Sequence, residues 1–315
     1  MYRGQRVCVV IPCYNVAPHI TGVLSAMPEY VDQVIAVDDG SRDDTLKALE
    51  AAADKRLEVV RHDRNRGVGA AMRSGLARGA QGGADLLVKV DGDGQMDLAE
   101  LPKLLDALVD DPRAGYAKGN RLFDQKALSK MPRLRFIGNF ALTFLTKLAS
   151  GYWYVVDPQN GYLAIRREIW ENLDPARISD GYFFENDMLV CLNILDVPVK
   201  DVAIPARYGD ERSYLRVRRV LFPFAFLLIR RTFYRVWAKY MLRDFSPIAL
   251  FLLTGLPLFI WGVIFGAYQW WSHAQQGIVT PTGTVIVAVV PLILGFQLLL
   301  QALVLDIQNS PRTRR

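Results

Sequence analysis

Charge is absent from a long stretch of this chain. Between Phe245 and Leu305 there is no Lys, Arg, Asp or Glu. Within this stretch, residues 247–271 and residues 284–305 are each about as long as a helix that crosses a hydrocarbon core of roughly 30 Å. A short polar turn, residues 272–283, separates them. This pattern predicts a membrane hairpin of two helices, and the alternative is a pair of buried core helices.

Cysteine is scarce as well. The chain has three cysteines, Cys8, Cys13 and Cys191, and their spacing matches no metal-ligand motif. A small and odd number argues against a disulfide-linked secreted domain and against a zinc site, so we expect reduced thiols that pack inside a cytosolic domain. The apolar run at residues 7–12 is too short for the core of a signal peptide, and we expect no cleaved secretion signal.

Positive charge exceeds negative charge, with a formal net charge of +6. Much of the excess lies in residues 207–243 and in the last few residues, on the two outer sides of the hairpin, whereas its turn has no Lys or Arg. The positive-inside rule therefore predicts a cytoplasmic head and cytoplasmic termini, on an inner, plasma or ER-type membrane. Attraction to anionic lipid headgroups accounts for this charge, and we expect no nucleic-acid partner.

The part of the chain before about residue 206 alternates apolar runs with helical patterns. The runs predict strands buried on both faces of a parallel sheet, at residues 6–11, 33–37, 57–60 and 86–90. The helical patterns lie between and after them, at residues 44–53, 68–79 and 98–109, with Asp97 as the N-cap of the last. This order predicts an α/β head with an open, doubly wound sheet.

Two later stretches have an amphipathic pattern. In residues 133–154 an apolar side chain recurs every four residues, and residues 221–243 combine an apolar stripe with a basic one. The basic stripe consists of Arg231, Arg235, Lys239 and Arg243. We expect the second stretch to lie in the membrane plane, with its rings in the bilayer and its guanidinium groups at lipid phosphates. The alternative for both stretches is an ordinary helix that faces the core.

Two carboxylates follow the fourth predicted strand. Asp91 and Asp93 are separated by one glycine, and Gln95 follows after a second glycine. In an open parallel sheet, ligands bind at the carboxyl ends of the strands. Carboxylate oxygens are ligands that Mg²⁺ prefers, together with substrate phosphates. The alternative for an isolated Asp-Gly-Asp is a surface turn, but its position at a strand end favours a metal site.

Further polar residues follow the other predicted strands. Asp39 is suited to accept hydrogen bonds from a ribose or a base, unless it only stabilises its turn. Residues 65–69 open a helix, and Arg73 follows one turn later. The N–H groups at a helix start, near Gly67, and a guanidinium favour a diphosphate. The alternative is a structural loop.

Taken together, these segments resemble a known family. They are Ile-Pro-Cys-Tyr-Asn at 11–15, Val-Asp-Asp-Gly-Ser at 37–41, Asn-Arg-Gly at 65–67 and Asp-Gly-Asp-Gly-Gln at 91–95. In this order they resemble family 2 glycosyltransferases of the GT-A fold, over roughly the first 215 residues. Within that family the chain is similar to the polyprenyl-phosphate sugar transferases, a group that contains dolichol-phosphate mannose synthase and undecaprenyl-phosphate glucosyltransferases. Supporting segments lie at residues 119–121, 157–162 and 209–213.

The resemblance implies a role for each matching residue. Nucleotide-sugar binding is implied for Pro12, Tyr14, Asn15, Asp39 and Asp91, which adds to Gly67 and Arg73 above. Binding of Mg²⁺ or Mn²⁺ is implied for Asp91, Asp93 and Gln95. Binding of the acceptor phosphate is implied for Arg121, Arg133 and Arg135. Asp93 and Asp157 are expected at the catalytic centre.

The chain departs from the family pattern at a few positions. Asn160-Gly161 and Ser213-Tyr214 stand where the family often has Ser-Gly and Ser-Lys. The Gln-x-x-Arg-Trp motif of processive polysaccharide synthases is absent from the sequence. Glu185 and Asp187 are further acidic candidates, with a structural pair at a helix start as the alternative.

The expected protein is a membrane-bound, metal-dependent and inverting glycosyltransferase that moves a sugar from a nucleotide sugar to undecaprenyl or dolichyl phosphate. The alternatives are a tethered transferase with a non-lipid acceptor and a non-catalytic nucleotide-binding scaffold. We expect a GT-A domain over residues 1–214, a juxtamembrane segment over 215–245, two transmembrane helices over 246–307 and a basic cytoplasmic tail over 308–315. The sequence leaves open the sugar, the nucleotide, the metal and whether the chain forms a homo-oligomer.

Overall fold

The computed structural model describes residues 1–121, 133–158, 160–205 and 217–312, and for residues 133–141 and 217–222 the backbone alone. The described residues form two compact units. The first contains Met1–Thr232 with Pro311 and Arg312, and the second contains Phe233–Ser310. The predicted domain boundary at residue 214 and the motif at residues 209–213 lie outside the described residues, so the expected division of the chain stays a prediction.

Strands of the first unit form one seven-stranded sheet. They are β1 (Val7–Cys13), β2 (Gln33–Asp38), β3 (Leu57–Arg61), β4 (Leu86–Lys89), β5 (Tyr116–Asn120), β6 (Leu163–Arg166) and β7 (Val199–Ala203). Their order across the sheet is β3-β2-β1-β4-β6-β5-β7. The four predicted strands are β1 to β4, and they run parallel to one another. Their 3-2-1-4 order is that of a doubly wound sheet, as predicted.

The other half of the sheet extends this pattern. β6 runs antiparallel to both of its neighbours, β4 and β5, whereas β5 and β7 are parallel to each other. These strands are four or five residues long and include charged side chains such as Lys118 and Asp201. They therefore lack the continuous apolar run that predicted β1 to β4. The predicted α/β fold is confirmed, and its sheet is mixed rather than wholly parallel.

Helices flank the sheet and follow it. They are α1 (Ala17–Ser25), α2 (Thr45–Glu50), α3 (Val68–Gln81), α4 (Leu101–Val109), α5 (Arg133–Ser150), α6 (Arg167–Asn172), α7 (Phe184–Ile194) and α8 (Val217–Val236). Short 3₁₀ turns lie at Leu98–Glu100 and Pro175–Arg177. The Asp97 carboxylate accepts a hydrogen bond from the backbone N–H of Ala99 at 3.0 Å. Asp97 thus caps the turn that leads into α4, as predicted.

The sheet is buried on both faces. Along β1, Val9 and Ile11 pack on one face, and Cys8 and Val10 pack on the other. This two-sided burial explains why the strand has no alternation of polar and apolar residues. The three cysteines are free and buried, as expected of packing residues.

The second unit contains two long apolar helices. α9 (Pro247–Gln276) and α10 (Thr282–Gln308) each contain an eighteen-residue window with a mean hydropathy of 2.4. Only 22% and 11% of these windows are buried. Core helices of soluble proteins are mostly buried, so the length, composition and exposure of α9 and α10 indicate a membrane protein.

Most of the basic stripe predicted before the hairpin does not face outward, although Arg243 at its end is exposed. In the first unit, Arg231 donates from Nε and Nη2 to the buried carboxylate of Asp187, at 2.6 and 3.0 Å. In the second unit, Arg235 is fully buried and bonds both oxygens of Asp306, at 2.7 and 3.0 Å. The expectation that the guanidinium groups of Arg231 and Arg235 contact lipid phosphates is wrong, because both groups donate to carboxylates of the protein.

The apolar stripe of the same segment is exposed instead. It consists of Phe226, Ile229 and Phe233 on α8 and Trp237 in the π-helical turn Trp237–Arg243. These side chains recur three or four residues apart in the sequence, which is the spacing of one helix face. Exposed apolar side chains at this spacing are typical of a helix that lies on a bilayer.

Candidate active site

A cleft of about 780 Å³ opens in the first unit, where β1, β2 and β4 end. The predicted site residues that line it are Pro12, Tyr14, Asp39, Gly67, Asp91, Asp93, Gln95 and Arg121. They come from separate strand ends and loops, and the carboxyl ends of the strands bring them together. The structure thus gathers most of the residues expected to bind the nucleotide sugar and the metal.

The loop after β4 presents the two predicted carboxylates to this cleft. The Asp93 carboxylate accepts a hydrogen bond from the backbone N–H of Gln95 at 2.9 Å, which fixes the turn. The backbone N–H of Asp91 contacts the Met96 sulfur at 3.3 Å. In the described ranges, no three His, Cys, Asp or Glu side chains gather as metal ligands. Asp91, Asp93 and Gln95 nevertheless share one lining, and their oxygens are of the kind that Mg²⁺ or Mn²⁺ prefers.

A buried lysine, which sequence reasoning missed, supports this loop. Lys89 is the last residue of β4, and its Nζ lies 2.7 Å from Asp91 Oδ1 and 3.5 Å from Glu185 Oε1. Burial alone would lower the pKa of Lys89, but the two carboxylates outweigh burial and raise it. A lysine at the end of an apolar strand was the signal in the sequence, since such a charge is rarely buried without a partner.

The backbone of Gly161 approaches this pair closely. A Cβ on Gly161 would overlap Lys89 Nζ and lie 3.0 Å from Asp91 Oδ2. The family often has Ser-Gly where this chain has Asn160-Gly161. The chain therefore differs at the first position and keeps the glycine whose backbone lies close to Lys89 and Asp91. Asn160 and Gly161 both line the cleft.

A second buried lysine lies in β5. The Lys118 ammonium donates a hydrogen bond to the backbone carbonyl of Asn160. Burial lowers the pKa of Lys118 to about 8, although the carboxylates of Glu185 and Asp157 oppose this shift. Burial also raises the pKa of Glu185, and Lys89 and Lys118 counteract part of that rise. A network of buried charges thus underlies the cleft.

Arg121 is the predicted acceptor ligand that the structure describes in full. Its Nε lies 3.0 Å from Asp157 Oδ2, and its backbone N–H donates to the same oxygen at 3.3 Å. Asp157 is buried, whereas about half of the Arg121 side chain is exposed. Asp157 is not among the described residues that line the cleft. It contacts Arg121, which does line the cleft. The side chains of Arg133 and Arg135, at the start of α5, lie outside the described part of the chain.

Two predicted nucleotide ligands have structural contacts instead. The Asn15 side chain accepts a hydrogen bond from the backbone N–H of Arg42 at 2.8 Å. Arg73 donates to the carbonyls of Pro175 and Ile178 and pairs with Asp180. Neither Asn15 nor Arg73 is among the described residues that line the cleft. Asn15 thus supports the loop that contains Arg42, and Arg73, on α3, bonds the loop of residues 175–180.

Asp39 and Gly67 meet at one side of the cleft. The Asp39 carboxylate accepts hydrogen bonds from the backbone N–H groups of Arg66 and Gly67, at 2.9 and 2.7 Å. Gly67 has a φ of 99°, and a Cβ there would overlap the carbonyl of Asp180. The backbone N–H of Gly67, which was expected to favour a diphosphate, thus donates to Asp39.

Apolar side chains complete the lining. Leu142 from α5 and Phe224 from α8 line the cleft with Ile204 and Pro205. Phe224 also packs edge to face on Phe183, with ring centroids 5.3 Å apart. The same cleft therefore offers carboxylates, a guanidinium and an apolar wall.

Sequence comparison identifies the family. The model described as "Glycosyl transferase family 2" matches residues 8–174. The chain belongs to glycosyltransferase family 2.

Relatives of this family 2 glycosyltransferase act on polyprenyl phosphates. It is 29% identical to a UDP-N-acetylglucosamine–dolichyl-phosphate N-acetylglucosaminyltransferase of Methanococcus voltae, over 63% of this chain and 86% of the relative. It is 32% identical to the polyprenol monophosphomannose synthase of Mycolicibacterium smegmatis, over 58% of this chain and 71% of that protein. It is 30% identical to an undecaprenyl-phosphate mannosyltransferase of Micrococcus luteus, over 58% of this chain and 76% of that protein. The resemblance derived from the motifs is thereby confirmed.

Solved structures share the fold. Glucosyl-3-phosphoglycerate synthase of Mycobacterium tuberculosis, solved with Mn²⁺, UDP and product, superposes with a TM-score of 0.55 at 22% identity. The match covers 74% of this chain and 80% of that one. The same enzyme was also solved with Mg²⁺ and UDP. At this identity the likeness concerns the fold alone, and it confirms the predicted GT-A class.

Proposed function

We propose that this glycosyltransferase moves a sugar from a nucleotide sugar to a polyprenyl phosphate at the cytoplasmic face of a membrane. The observation that carries the proposal is the composition of one cleft. It holds the carboxylates of Asp91 and Asp93 together with Arg121, whose guanidinium is fixed by the buried Asp157. The first group suits the metal on a donor diphosphate, and the second suits an acceptor phosphate. The relatives named above support the same pairing of substrates.

The donor side would bind the leaving group. Asp91, Asp93 and Gln95 would hold Mg²⁺ or Mn²⁺, which supplies Lewis-acid stabilisation of the departing diphosphate when bound. Lys89 holds one oxygen of Asp91 at 2.7 Å and so positions this carboxylate in the lining of the cleft. Tyr14 and Asp39 would contact the nucleoside.

The acceptor side would bind the nucleophile. A polyprenyl phosphate is already anionic at neutral pH, so the reaction needs little help from a general base. It needs a cation that lets two anions approach each other. Arg121 fits this role because its planar guanidinium matches a phosphate and its exposed portion faces the cleft. Direct attack on the anomeric carbon would invert its configuration.

The apolar part of the cleft would accommodate the lipid. Leu142, Ile204, Pro205 and Phe224 give the cleft a lining that a soluble sugar acceptor does not need. The exposed rings of α8 and the two apolar helices would keep the head at the bilayer, where the acceptor resides. The basic residues flanking the hairpin support a cytoplasmic head and cytoplasmic termini.

An acceptor and donor panel tests this proposal. The full chain in lipid nanodiscs is incubated with UDP-glucose, UDP-N-acetylglucosamine or GDP-mannose, each with undecaprenyl phosphate, dolichyl phosphate or a water-soluble sugar. We expect a lipid-linked sugar from one donor, and transfer lower by about a hundredfold or more in Asp93→Asn. Transfer to the soluble sugar alone would support a tethered transferase with a non-lipid acceptor. Nucleotide binding without any transfer would support a scaffold.

A further inference from the structure

A buried chain of hydrogen bonds runs from α3 to the cleft. His62 follows β3 and is 7% exposed. Its Nδ1 lies 2.6 Å from Asp39 Oδ1, and its Nε2 lies 2.9 Å from the hydroxyl of Ser74 on α3. Of these three residues, Asp39 alone is among the described residues that line the cleft. The imidazole therefore contacts the site through the carboxylate.

The partners of the ring decide which nitrogen carries the proton. An ionised carboxylate accepts hydrogen bonds and donates none. His62 Nδ1 must therefore donate to Asp39, and in the neutral ring Nε2 then accepts from the Ser74 hydroxyl. Asp39 thus fixes the tautomer, and the Ser74 hydroxyl holds the far nitrogen of the ring in place.

The contacts of Asp39 are unequal on its two oxygens. Oδ1 receives the His62 ring at 2.6 Å and the backbone N–H of Arg66 at 2.9 Å, which uses both of its lone pairs. Oδ2 receives the backbone N–H of Gly67 at 2.7 Å. Since each carboxylate oxygen has two acceptor positions, Oδ2 retains capacity for a donor in the cleft.

We propose that His62 and Ser74 are positioning residues for the nucleotide: they fix the Asp39 carboxylate so that it accepts a hydrogen bond from the nucleoside. This inference rests on the proposed function, because it assumes a nucleotide-sugar donor. The effect is on donor binding and not on the transfer step, since neither His62 nor Ser74 reaches the reacting groups.

The same three residue types occur in hydrolytic Ser-His-Asp triads, but here their order relative to the site is reversed. In a triad the serine faces the substrate and the aspartate is buried behind the histidine. Here the aspartate lines the cleft, and Ser74 lies behind the ring. The arrangement thus presents an acceptor to a ligand and not a nucleophile.

Two substitutions of the histidine separate positioning from packing. In His62→Asn, the amide nitrogen can occupy the place of Nδ1 and keep the hydrogen bond to Asp39. In His62→Gln, the longer side chain places its amide near Nε2 and loses that bond. Binding of UDP and of GDP to the full chain in detergent is measured by calorimetry, and donor KM and kcat are measured separately.

We expect His62→Gln to weaken binding of the cognate nucleotide by about tenfold, as for a lost hydrogen bond to a charged group. His62→Asn should stay within about threefold of the unaltered chain. The donor KM should change in parallel, with kcat at saturating donor nearly constant. Ser74→Ala, which removes one hydroxyl, should weaken binding by roughly threefold and serves as the test if the histidine variants do not fold.

The outcomes distinguish failure of this inference from failure of the proposed function. Equal losses in His62→Asn and His62→Gln, or unchanged affinity in His62→Gln or Ser74→Ala, would overturn the positioning role. A fall in kcat with constant donor KM would overturn it too. Failure of the unaltered chain to bind either UDP or GDP would contradict the proposed function itself, and this inference with it.

Discussion

The two sides of the cleft are built in different ways. The proposed donor side comes from the ends of β1, β2 and β4, and its groups lie within short contiguous motifs such as residues 91–95. The acceptor side depends on pairs that are distant in sequence. Arg121 is held by Asp157, and the wall beyond it comes from Leu142 and Phe224. Local motifs thus define the donor side, whereas tertiary packing defines the acceptor side.

This comparison predicts that donor and acceptor functions can be lost separately. The largest effect is expected for Asp93→Asn, which removes one hard ligand and one negative charge. Transfer should fall on the order of a hundredfold or more, as when a group that stabilises transition-state charge is removed. Transfer is measured at limiting Mg²⁺ or Mn²⁺.

The control for Asp93→Asn is Asp63→Asn, because Asp63 is exposed and not among the described residues that line the cleft. It should behave as the unaltered chain does. Near-normal turnover by Asp93→Asn at limiting metal would remove the basis for the metal site.

On the acceptor side, Arg121→Ala should raise the KM for the lipid phosphate on the order of tenfold to a hundredfold, since a charge-assisted contact is lost. The donor KM should change little. Separate titration of nucleotide sugar and of lipid phosphate measures both values, with the exposed Arg61→Ala as control. Equal losses for the two substrates would argue that the two sides are not separate.

Stability should depend on the arginine that α8 directs inward. Arg231→Ala leaves the buried carboxylate of Asp187 without its positively charged partner, and of the described residues only Ser179 still donates to it. Breaking a fully buried pair costs about 3–5 kcal/mol, and because Arg231 is 22% exposed we expect about 2 kcal/mol. The loss is measured as a lower melting temperature of the full chain in detergent.

The neighbouring Arg230→Ala is the matched control, because Arg230 is exposed and should change stability by less than about 0.5 kcal/mol. If both variants melt at the same temperature, the Arg231–Asp187 pair does not stabilise the first unit.

The smallest effect concerns pH. Burial lowers the pKa of Lys118 to about 8, below that of an exposed lysine. The unfolded chain therefore binds more protons between about pH 8 and pH 10, and stability should rise with pH across this window. The rise is about 1 kcal/mol per pH unit at most. Lys118→Met should remove this slope in melting curves recorded from pH 7.5 to 9.5, and an unchanged slope would assign it to other groups.

Much of the donor side was predictable from the sequence, because each strand end there carries its polar residues in one short segment. Asp91, Asp93 and Gln95 follow an apolar run directly, so a one-dimensional pattern was sufficient. Arg73 shows the limit of this approach. Its position in α3 favoured binding of a diphosphate. Its guanidinium instead donates to carbonyls of a loop about a hundred residues later in the chain.

The inward basic stripe could not be predicted for the same reason. The spacing of Arg231 and Arg235 shows that they share a face, but not what that face meets. Their partners, Asp187 and Asp306, are distant in sequence. The short mixed strands β5 to β7 also escaped prediction, because their charged residues interrupt the apolar pattern. Burial of charge in pairs is thus the feature that sequence patterns conceal.

The central claim is that one cleft binds a nucleotide sugar and a polyprenyl phosphate side by side. The most direct test is equilibrium binding of a short-chain polyprenyl monophosphate to the full chain in detergent, before and after saturation with nucleoside diphosphate and Mg²⁺. The account predicts binding in both conditions, and its loss in Arg121→Ala but not in Arg61→Ala. Absence of lipid-phosphate binding, or its displacement by the nucleotide, would contradict the account.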